Sequence, residues 1–419
     1  MPYKVKDISL AKEGLLKIEW AEKQMPVLMN VREEFKASKP FKGAKIACCL
    51  HNTKETAVLV RTLVAGGAQV AVCAANPLST QDDVAAALAK EGIDIYSWAD
   101  ETQEEYIENI NKVLDFKPNI TIDDGGDLVF TLHTKRTELI DGLLGSQEET
   151  TTGVIRLRAL ERDGKLKVPV IAINDTPTKR LFDNILGTSQ STIDAILRAT
   201  SILLAGKNFV VCGYGYCGSG LAKRARGMGA NIVVTEVDSL KALQAVMEGY
   251  NVMPMKEAAK IGDVFVTVTG NRDVIRKEHM ELMKDGTVLA NTGHFNVEIS
   301  VKDLESISKS KKTVKKNVDE YTLENGKRLY LIAEGRIANL IAAEGHPSAI
   351  MDLSFSNQAL CAAWFMGNHK SLDNKVYEVP KEIDQRVAAL KLESMGIKID
   401  QMTLEQKKYL ESWEFGTYG

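Results

Sequence analysis

The stretch Asn208-Phe209-Val210-Val211-Cys212-Gly213-Tyr214-Gly215-Tyr216-Cys217-Gly218 decides the fold. A short apolar run leads directly into three glycines and then into a helical pattern reaching Met228. Such a run, bounded by turn residues, predicts a strand buried on both faces, as in a parallel sheet. A second strand is predicted at Asn231-Ile232-Val233-Val234-Thr235, with Glu236 at its end. Strand, Gly-x-Gly-x-x-Gly turn, helix, strand and acid in this order make a unit that cradles a dinucleotide. Gly213 permits the tight turn, Gly215 leaves room for a pyrophosphate against the backbone, and Gly218 lets helix and strand pack closely. Tyr214, Tyr216 and Cys217 belong to the same loop. The helix N-terminus offers unpaired N–H groups and partial positive charge to the phosphates. Glu236 is placed to accept from an adenosine ribose and to repel a 2′-phosphate, so NAD is expected rather than NADP.

Reading outward, later strands of the same sheet are predicted at Val264–Val268 and Thr287–Ala290. Thr269-Gly270-Asn271 and Asn291-Thr292-Gly293-His294 follow them, where they suit the nicotinamide half of the cofactor. The first half of the chain repeats the alternation. Strands are predicted at 44–50, 69–73, 93–96 and 119–122, and helices at 54–65, 80–90 and 104–114. Polar residues cluster after the strands: His51-Asn52-Thr53, Asn76 to Thr80, and Asp123-Asp124-Gly125-Gly126-Asp127. Ligands of open α/β sheets bind at those carboxyl ends, although helix caps and turns use the same residue types. The expected fold is α/β, with two doubly wound (Rossmann-like) parallel-sheet domains and a small helical C-terminal extension.

The bulk properties fit. A chain of 419 residues holds two to three domains, and a net charge of −3 argues against nucleic acid as a partner. No apolar run approaches the roughly 20 residues of a membrane span, and Met1 to Asp7 lacks a signal-peptide core. The six cysteines form no CxxC pair and no zinc pattern. A cytoplasmic location and the absence of a metal are expected.

Further motifs carry a resemblance. His51-Asn52-Thr53-Lys54-Glu55-Thr56-Ala57, Ser79-Thr80-Gln81-Asp82, Asp123 to Asp127, Glu148-Glu149-Thr150-Thr151-Thr152-Gly153, Lys179-Arg180-Leu181-Phe182-Asp183-Asn184, Asn291 to Phe295, Ala333-Glu334-Gly335-Arg336 and Gly345-His346-Pro347-Ser348 stand nearly end to end along the chain. Together they resemble the motif set of the S-adenosylhomocysteine hydrolase (adenosylhomocysteinase) family. The resemblance implies reversible hydrolysis of S-adenosyl-L-homocysteine to adenosine and L-homocysteine, within one-carbon metabolism. It further implies one NAD tightly bound per subunit of a homotetramer, and a cycle with the following steps. The 3′-hydroxyl is transiently oxidised, the C4′ proton becomes acidic, homocysteine leaves C5′, water adds, and the hydride is returned.

Roles are implied position by position. Lys179 serves the 3′-hydroxyl and is expected neutral, because enclosure lowers a lysine pKa. Asp183 and Glu149 hold the ribose hydroxyls, Asp124 handles the C4′ proton, and His51 serves the 5′ side. His294 is a cofactor or active-site residue. Thr53 and Glu55 meet the adenine edge, and Met351 is an apolar contact to the base. Ser79 and Gln81 belong to the substrate motif, and His346 stands at the cleft mouth beside the cofactor. Thr150, Thr151, Thr152, Asn184, Asn291 and Asn339 reach the nicotinamide side. Taken alone, Lys179 with Asp183 could be a surface ion pair at i,i+4, Glu149 to Thr152 a helix cap, and Asp123-Asp124 a solvated turn.

The implied division is a substrate domain over 1–184 and 347–380, an NAD domain over 185–346, and a helical oligomerisation segment over 381–419. This sequence has Asn52 where methionine is common and Thr188 where many members carry cysteine. It ends at Trp413-Glu414-Phe415-Gly416-Thr417-Tyr418-Gly419, where many members have a longer tail whose lysine and tyrosine reach a neighbour's NAD, so those tail contacts are not expected here. Competing readings are an S-inosyl-L-homocysteine hydrolase, a plain NAD-dependent dehydrogenase of a hydroxy acid, and a NAD-sensing regulatory protein. The Thr53/Glu55 pair favours adenine, whose N6 amine donates to a carboxylate.

Overall fold

A computed structural model describes residues 3–413. Seven strands build most of a first sheet: β1 (Tyr3–Lys4), β2 (Lys45–Leu50), β3 (Gln69–Ala74), β4 (Asp94–Tyr96), β5 (Ile120–Asp123), β6 (Gly145–Glu148) and β7 (Val170–Ala172). The chain then leaves this sheet and builds a second from β8 (Asn208–Cys212), β9 (Asn231–Thr235), β10 (Asn251–Val252), β11 (Val264–Thr267), β12 (Thr287–Asn291), β13 (Ser308–Lys315), β14 (Val318–Leu323) and β15 (Arg328–Ile332). It returns through the long helix Ser348–Asn368 to add β16 (Val376–Glu378) at the edge of the first sheet.

The first sheet runs β1-β4-β3-β2-β5-β6-β7-β16, with all neighbours parallel. The second runs β10-β9-β8-β11-β12-β15-β14-β13 and is parallel except where β14 and β13 turn back. Strand order reverses between β2 and β5 in one sheet and between β8 and β11 in the other. A crevice opens at each such switch point. The two crossings between the sheets touch: His346 Nδ1 lies 3.3 Å from Asp183 Oδ2, and Thr188 Oγ1 lies 3.4 Å from His346 Nε2.

Apolar runs such as Ile46–Leu50, Phe209–Cys212 and Val264–Val266 are buried on both faces, as helix-covered parallel strands must be. The strands and helices expected in the first half and around the glycine motif are present with small end shifts. Elements without an apolar signal were not foreseen. The strand β6, Gly145-Ser146-Gln147-Glu148, is polar yet wholly buried. Its side chains find partners instead of water: Thr121 Oγ1 donates to Ser146 Oγ at 2.7 Å and Gln147 Nε2 to the Gln358 carbonyl at 3.1 Å. The lysine-rich β13 is mostly exposed, so its pattern carries no core face.

The extension past Lys381 is helical over Lys381–Ser394 and Leu404–Glu411. The first of these helices packs on Pro26–Ser38 and Ser348–Asn368 of its own chain. Residues 414–419, the end of the expected oligomerisation segment, lie outside the described residues. Among the described residues no helix is long and apolar enough to cross a membrane.

Gly218 tests the packing of the glycine turn. A Cβ there would sit 2.0 Å from the Gly213 carbonyl oxygen, whereas one at Gly227, in the same helix, meets nothing within 4 Å. Gly218→Ala should destabilise by about 1–3 kcal/mol, and Gly227→Ala should be neutral or stabilising by up to about 1 kcal/mol. Urea denaturation of the two variants measures both.

Candidate active site

Adjacent parallel strands deliver the chemistry side by side. Just past β2 stands His51, past β5 Asp124 and past β6 Glu149, and the segment after β7 carries Lys179. After Lys179 the helix widens to a π-helical turn over Arg180–Gly187, which presents Asp183 and Asn184. Such turns recur at functional sites, and nothing in the residue spacing announced this one. All these side chains face a cavity of about 1720 Å³, whose other wall is the second sheet's glycine turn and loops. That exceeds the usual volume of a single small-ligand pocket.

The Lys179–Asp183 pair is no surface ion pair: both side chains are about 5% exposed. Lys179 Nζ lies 3.2 Å from Asp183 Oδ1 and 3.9 Å from Glu149 Oε1, and donates to Asn174 Oδ1 at 3.0 Å. Asn174, which also accepts from Thr151 Oγ1 at 3.2 Å, was not foreseen. Burial works against the lysine's charge, as expected, but Asp183 and Glu149 outweigh it and raise the Lys179 pKa. The expectation of a neutral lysine is therefore corrected for the ligand-free site. Burial likewise opposes ionisation of Asp183, but Lys179 and His346 hold its carboxyl well below the usual range. Glu149 is pushed up to about 8, mainly by burial, with Lys179 opposing and Asp183 adding to the rise. Its other oxygen accepts from Gln358 Nε2.

Two histidines flank Asp124. His51 Nε2 is 3.6 Å from Asp124 Oδ2, and His294 Nδ1, from the second sheet's loop, is 3.6 Å from Asp124 Oδ1. Ser79 Oγ, donating to the Asn76 carbonyl at 3.1 Å, accepts from His51 Nδ1 at 2.7 Å. That assigns the ring's proton to Nδ1 and its lone pair to Nε2, toward Asp124. Burial lowers His51 to about 3 and His294 to about 4, and raises Asp124. The three groups bring ligand-type atoms within 4.8 Å of one another, an arrangement invisible in positions 51, 124 and 294. His294 packs on Gly125, whose φ is +108°: a Cβ there would meet His294 Nε2 at 2.3 Å.

The second sheet supplies a cradle that fits a dinucleotide. A Cβ on Gly215 would meet nothing within 4 Å, leaving open space at the start of the helix Tyr216–Gly227. Gly213, Tyr214, Gly215, Tyr216, Cys217 and Glu236 line the cavity, while Gly218 lies behind it as a packing residue. Glu236 accepts from the backbone N–H groups of Tyr214, Val237 and Asp238 at 2.7, 2.7 and 3.0 Å, which fixes its carboxylate at the end of β9. Thr150, Thr151, Thr152, Asn184, Thr269, Gly270, Asn271, Thr292, Gly293, Asn339 and His346 also line it. Thr150 caps its helix as well, accepting from Gly153 N. Asn184 Oδ1 and Asn339 Oδ1 are buried without a hydrogen-bond partner, an arrangement a ligand would satisfy.

Thr53, Glu55 and Met351 line the cavity at its first-sheet end, and Glu55 accepts from Ser348 Oγ. Ser79 and Gln81 do not reach it. Ser79 orients His51, and Gln81 Oε1 accepts from Lys54 N at 3.2 Å. Asn291 also stays behind the wall: its side chain holds the backbone of Gly293, Phe295 and Gly335. The buried Glu298 was missed by sequence reasoning. It accepts from Thr269 N, Thr269 Oγ1 and Gly270 N, pinning that loop.

Two doubly wound lobes facing one cavity, with a dinucleotide cradle on one wall and a buried lysine–carboxylate cluster on the other, define a two-lobed NAD-dependent α/β enzyme. Residues 184–345 match the family model described as S-adenosyl-L-homocysteine hydrolase, NAD binding domain, and residues 2–140 match the one described as S-adenosyl-L-homocysteine hydrolase. The chain is 59% identical over 418 residues to an adenosylhomocysteinase of Aquifex aeolicus (strain VF5), covering 100% of both. It is 59% identical over 415 residues to an adenosylhomocysteinase of Pyrococcus abyssi (strain GE5 / Orsay), covering 99% of this chain and 98% of that one. It is 58% identical over 415 residues to an S-inosyl-L-homocysteine hydrolase of Methanocaldococcus jannaschii, covering 99% and 100%. The chain belongs to the S-adenosyl-L-homocysteine hydrolase family.

The raised Glu149 makes a pH prediction. Between its ordinary value and about 8 the folded state keeps a proton that the unfolded chain has lost. Stability therefore falls as pH rises through that window. Urea midpoints at pH 5.5 and 8 should drop more for the unmodified protein than for Glu149→Gln.

Proposed function

We propose that this chain catalyses reversible hydrolysis of S-adenosyl-L-homocysteine to adenosine and L-homocysteine. The observation that carries this reading is Lys179, buried between Asp183 and Glu149 on the wall opposite the dinucleotide cradle. In this reading residues 1–184 with 347–380 hold the substrate and 185–346 hold NAD. The cofactor rests on Gly213 to Cys217 and Glu236, with Thr150 to Thr152, Asn184, Thr269 to Asn271, Thr292, Gly293 and Asn339 at its nicotinamide end. When bound, NAD supplies a reversible hydride acceptor for the 3′ carbon of the substrate ribose.

The residues share the proton work. Asp183 and Glu149 hold the ribose hydroxyls, and a hydrogen bond accepted by the ionised Asp183 draws off negative charge that otherwise holds the proton on Lys179. Substrate binding thereby readies Lys179 to take the 3′-hydroxyl proton. Asp124, raised by burial, exchanges a proton with C4′. The Nε2 lone pair of His51 serves the 5′ position, where thiolate leaves and water enters. His294, brought over Asp124 from the other lobe, closes that side against solvent.

At the base, Glu55 keeps lone pairs free to accept from the adenine N6 amine; the O6 of hypoxanthine would face those same lone pairs. Relatives bearing both substrate names are nearly equally similar, so it is the Glu55 pocket, rather than overall identity, that supports the adenine reading. The six free cysteines suit the cytoplasm. Exposed Met395, Ile399, Met402, Leu404, Leu410 and Trp413 suit burial in a homotetramer, which light scattering would reveal.

Incubation with S-adenosylhomocysteine should release thiol without net growth of 340 nm absorbance. Growing absorbance without thiol would indicate a plain dehydrogenase, and silence in both a regulatory protein. Chromatography should find adenosine; inosine released from the S-inosyl analogue alone would overturn the Glu55 assignment. Lys179→Ala should retain NAD yet lose 3′-oxidation, read as NADH formed on adding adenosine.

A further inference from the structure

The chain doubles its acids at two neighbouring strand ends, Asp123-Asp124 and Glu148-Glu149, and Asp123 and Glu148 stand in register on β5 and β6. Only the second acid of each pair faces the cavity. Asp123 caps the helix Asp127–Thr134, its Oδ2 accepting from Leu128 N at 2.9 Å and Val129 N at 3.1 Å. Glu148 is fully buried, and a single oxygen, Oε1, accepts from Gly125 N at 2.9 Å, Thr150 N at 2.8 Å and Thr150 Oγ1 at 3.0 Å. Gly125 follows Asp124 and Thr150 follows Glu149.

We propose that Glu148 is a positioning residue: as a shared hydrogen-bond acceptor, it ties the two loops that present Asp124 and Glu149 and so sets the distance between those groups. The proposal rests on the roles given above to Asp124 and Glu149.

Three observations support it. Glu148 makes no ion pair among the described residues, and its Oε2 is buried without a hydrogen-bond partner. A packed apolar side chain in its place would avoid the cost of burying an acid, so fold stability alone does not explain it. Its carboxyl group also fills the space over Gly153, where a Cβ would come within 2.1 Å of Glu148 Cδ, so the first turn of the helix Thr151–Arg162 is shaped around it. Finally, the two loops have few other ties. Asp124 N donates to the Cys49 carbonyl and Glu149 N to the Asp123 carbonyl, both before the turns at Gly125 and Thr150, and Arg156 of the helix Thr151–Arg162 reaches the Gly125 carbonyl, but Glu148 alone among the described residues takes the N–H groups of both turns.

The test separates acceptor, charge and mere packing. In Glu148→Gln the amide oxygen can take the three donors while the NH2 occupies the unpartnered Oε2 place. In Glu148→Leu the acceptor is gone at similar volume, and in Glu148→Asp the carboxyl group stays but its oxygen is withdrawn by one methylene. Glu148→Gln should keep kcat within about 3-fold. Glu148→Leu and Glu148→Asp should lose about 100-fold in kcat with KM little changed, the scale of an ångström misplacement of catalytic groups. The specific readout is washout of C4′ deuterium from labelled adenosine by NAD-loaded enzyme. It should collapse in Glu148→Leu and Glu148→Asp and persist in Ile110→Ala, a core variant on the helix Gln103–Asp115.

Equal loss in Glu148→Gln, or near-normal washout in Glu148→Asp, overturns the proposal. If Glu148→Leu does not fold, the Gln and Asp variants decide alone. Asp124→Asn separates the two failures. Washout surviving in Asp124→Asn overturns the reading of Asp124, whereas washout lost there and kept in Glu148→Leu overturns the role of Glu148 alone.

Discussion

A lysine and several carboxylates buried together impose the terms on which the rest of this site is built. Removing either kind of charge from water is costly, and attraction between them repays the cost only when every remaining lone pair and proton is placed. Around Lys179, Asp183 and Glu149 most of that placement is visible: Asn174 accepts from the lysine, Ser354 and His346 meet Asp183, and Gln358 meets one Glu149 oxygen, while the other has only the lysine 3.9 Å away. The polar strand β6 and the polar stretch of the helix Ser348–Asn368 follow from the same requirement, since a charged cluster needs polar walls. So does the division of labour within Asp123-Asp124 and Glu148-Glu149, where one acid anchors the loop and the next faces the cavity.

Much of the fold was legible because its strands are apolar and its turns are glycine. Phe209 to Cys212, Ile232 to Val234 and the Gly213/Gly215/Gly218 spacing announce a nucleotide unit through steric demands that few other residues meet. The site was legible through the resemblance more than through local pattern. Lys179 with Asp183, or Thr150 with its neighbours, reads equally well as an ion pair or a cap, and Thr150 is in fact a cap as well as a cavity residue. What stayed hidden has a common physical cause. The strand β6, Asn174, Glu148 and Glu298 are polar residues buried by partners distant in sequence, so no hydrophobic period marks them. The π-helical turn over Arg180–Gly187 leaves no compositional trace. The charge state of Lys179 depends on which carboxylates end up beside it, and spacing named only one of the two.

The second lobe mirrors the first in its economy of anchors. Glu298 holds the Thr269–Gly270 loop through three donors, as Glu148 holds its pair of loops. Each crevice at a switch point is thus bordered by a loop whose backbone is tied to a carboxylate out of the ligand's reach. Binding groups can then be presented on loops without the looseness loops usually carry.

The two crossings of the chain between the sheets lie against each other at Asp183, Thr188 and His346. A pair of adjacent tethers allows rotation about the line they define and resists sliding of one lobe past the other. Points near an axle sweep short arcs and points far from it sweep long ones. Asp183 and His346 would therefore keep their spacing through most of a swing, while parts farther out would travel most. Such a clamshell can hold what lies beside its axle steadily while its rim opens and closes.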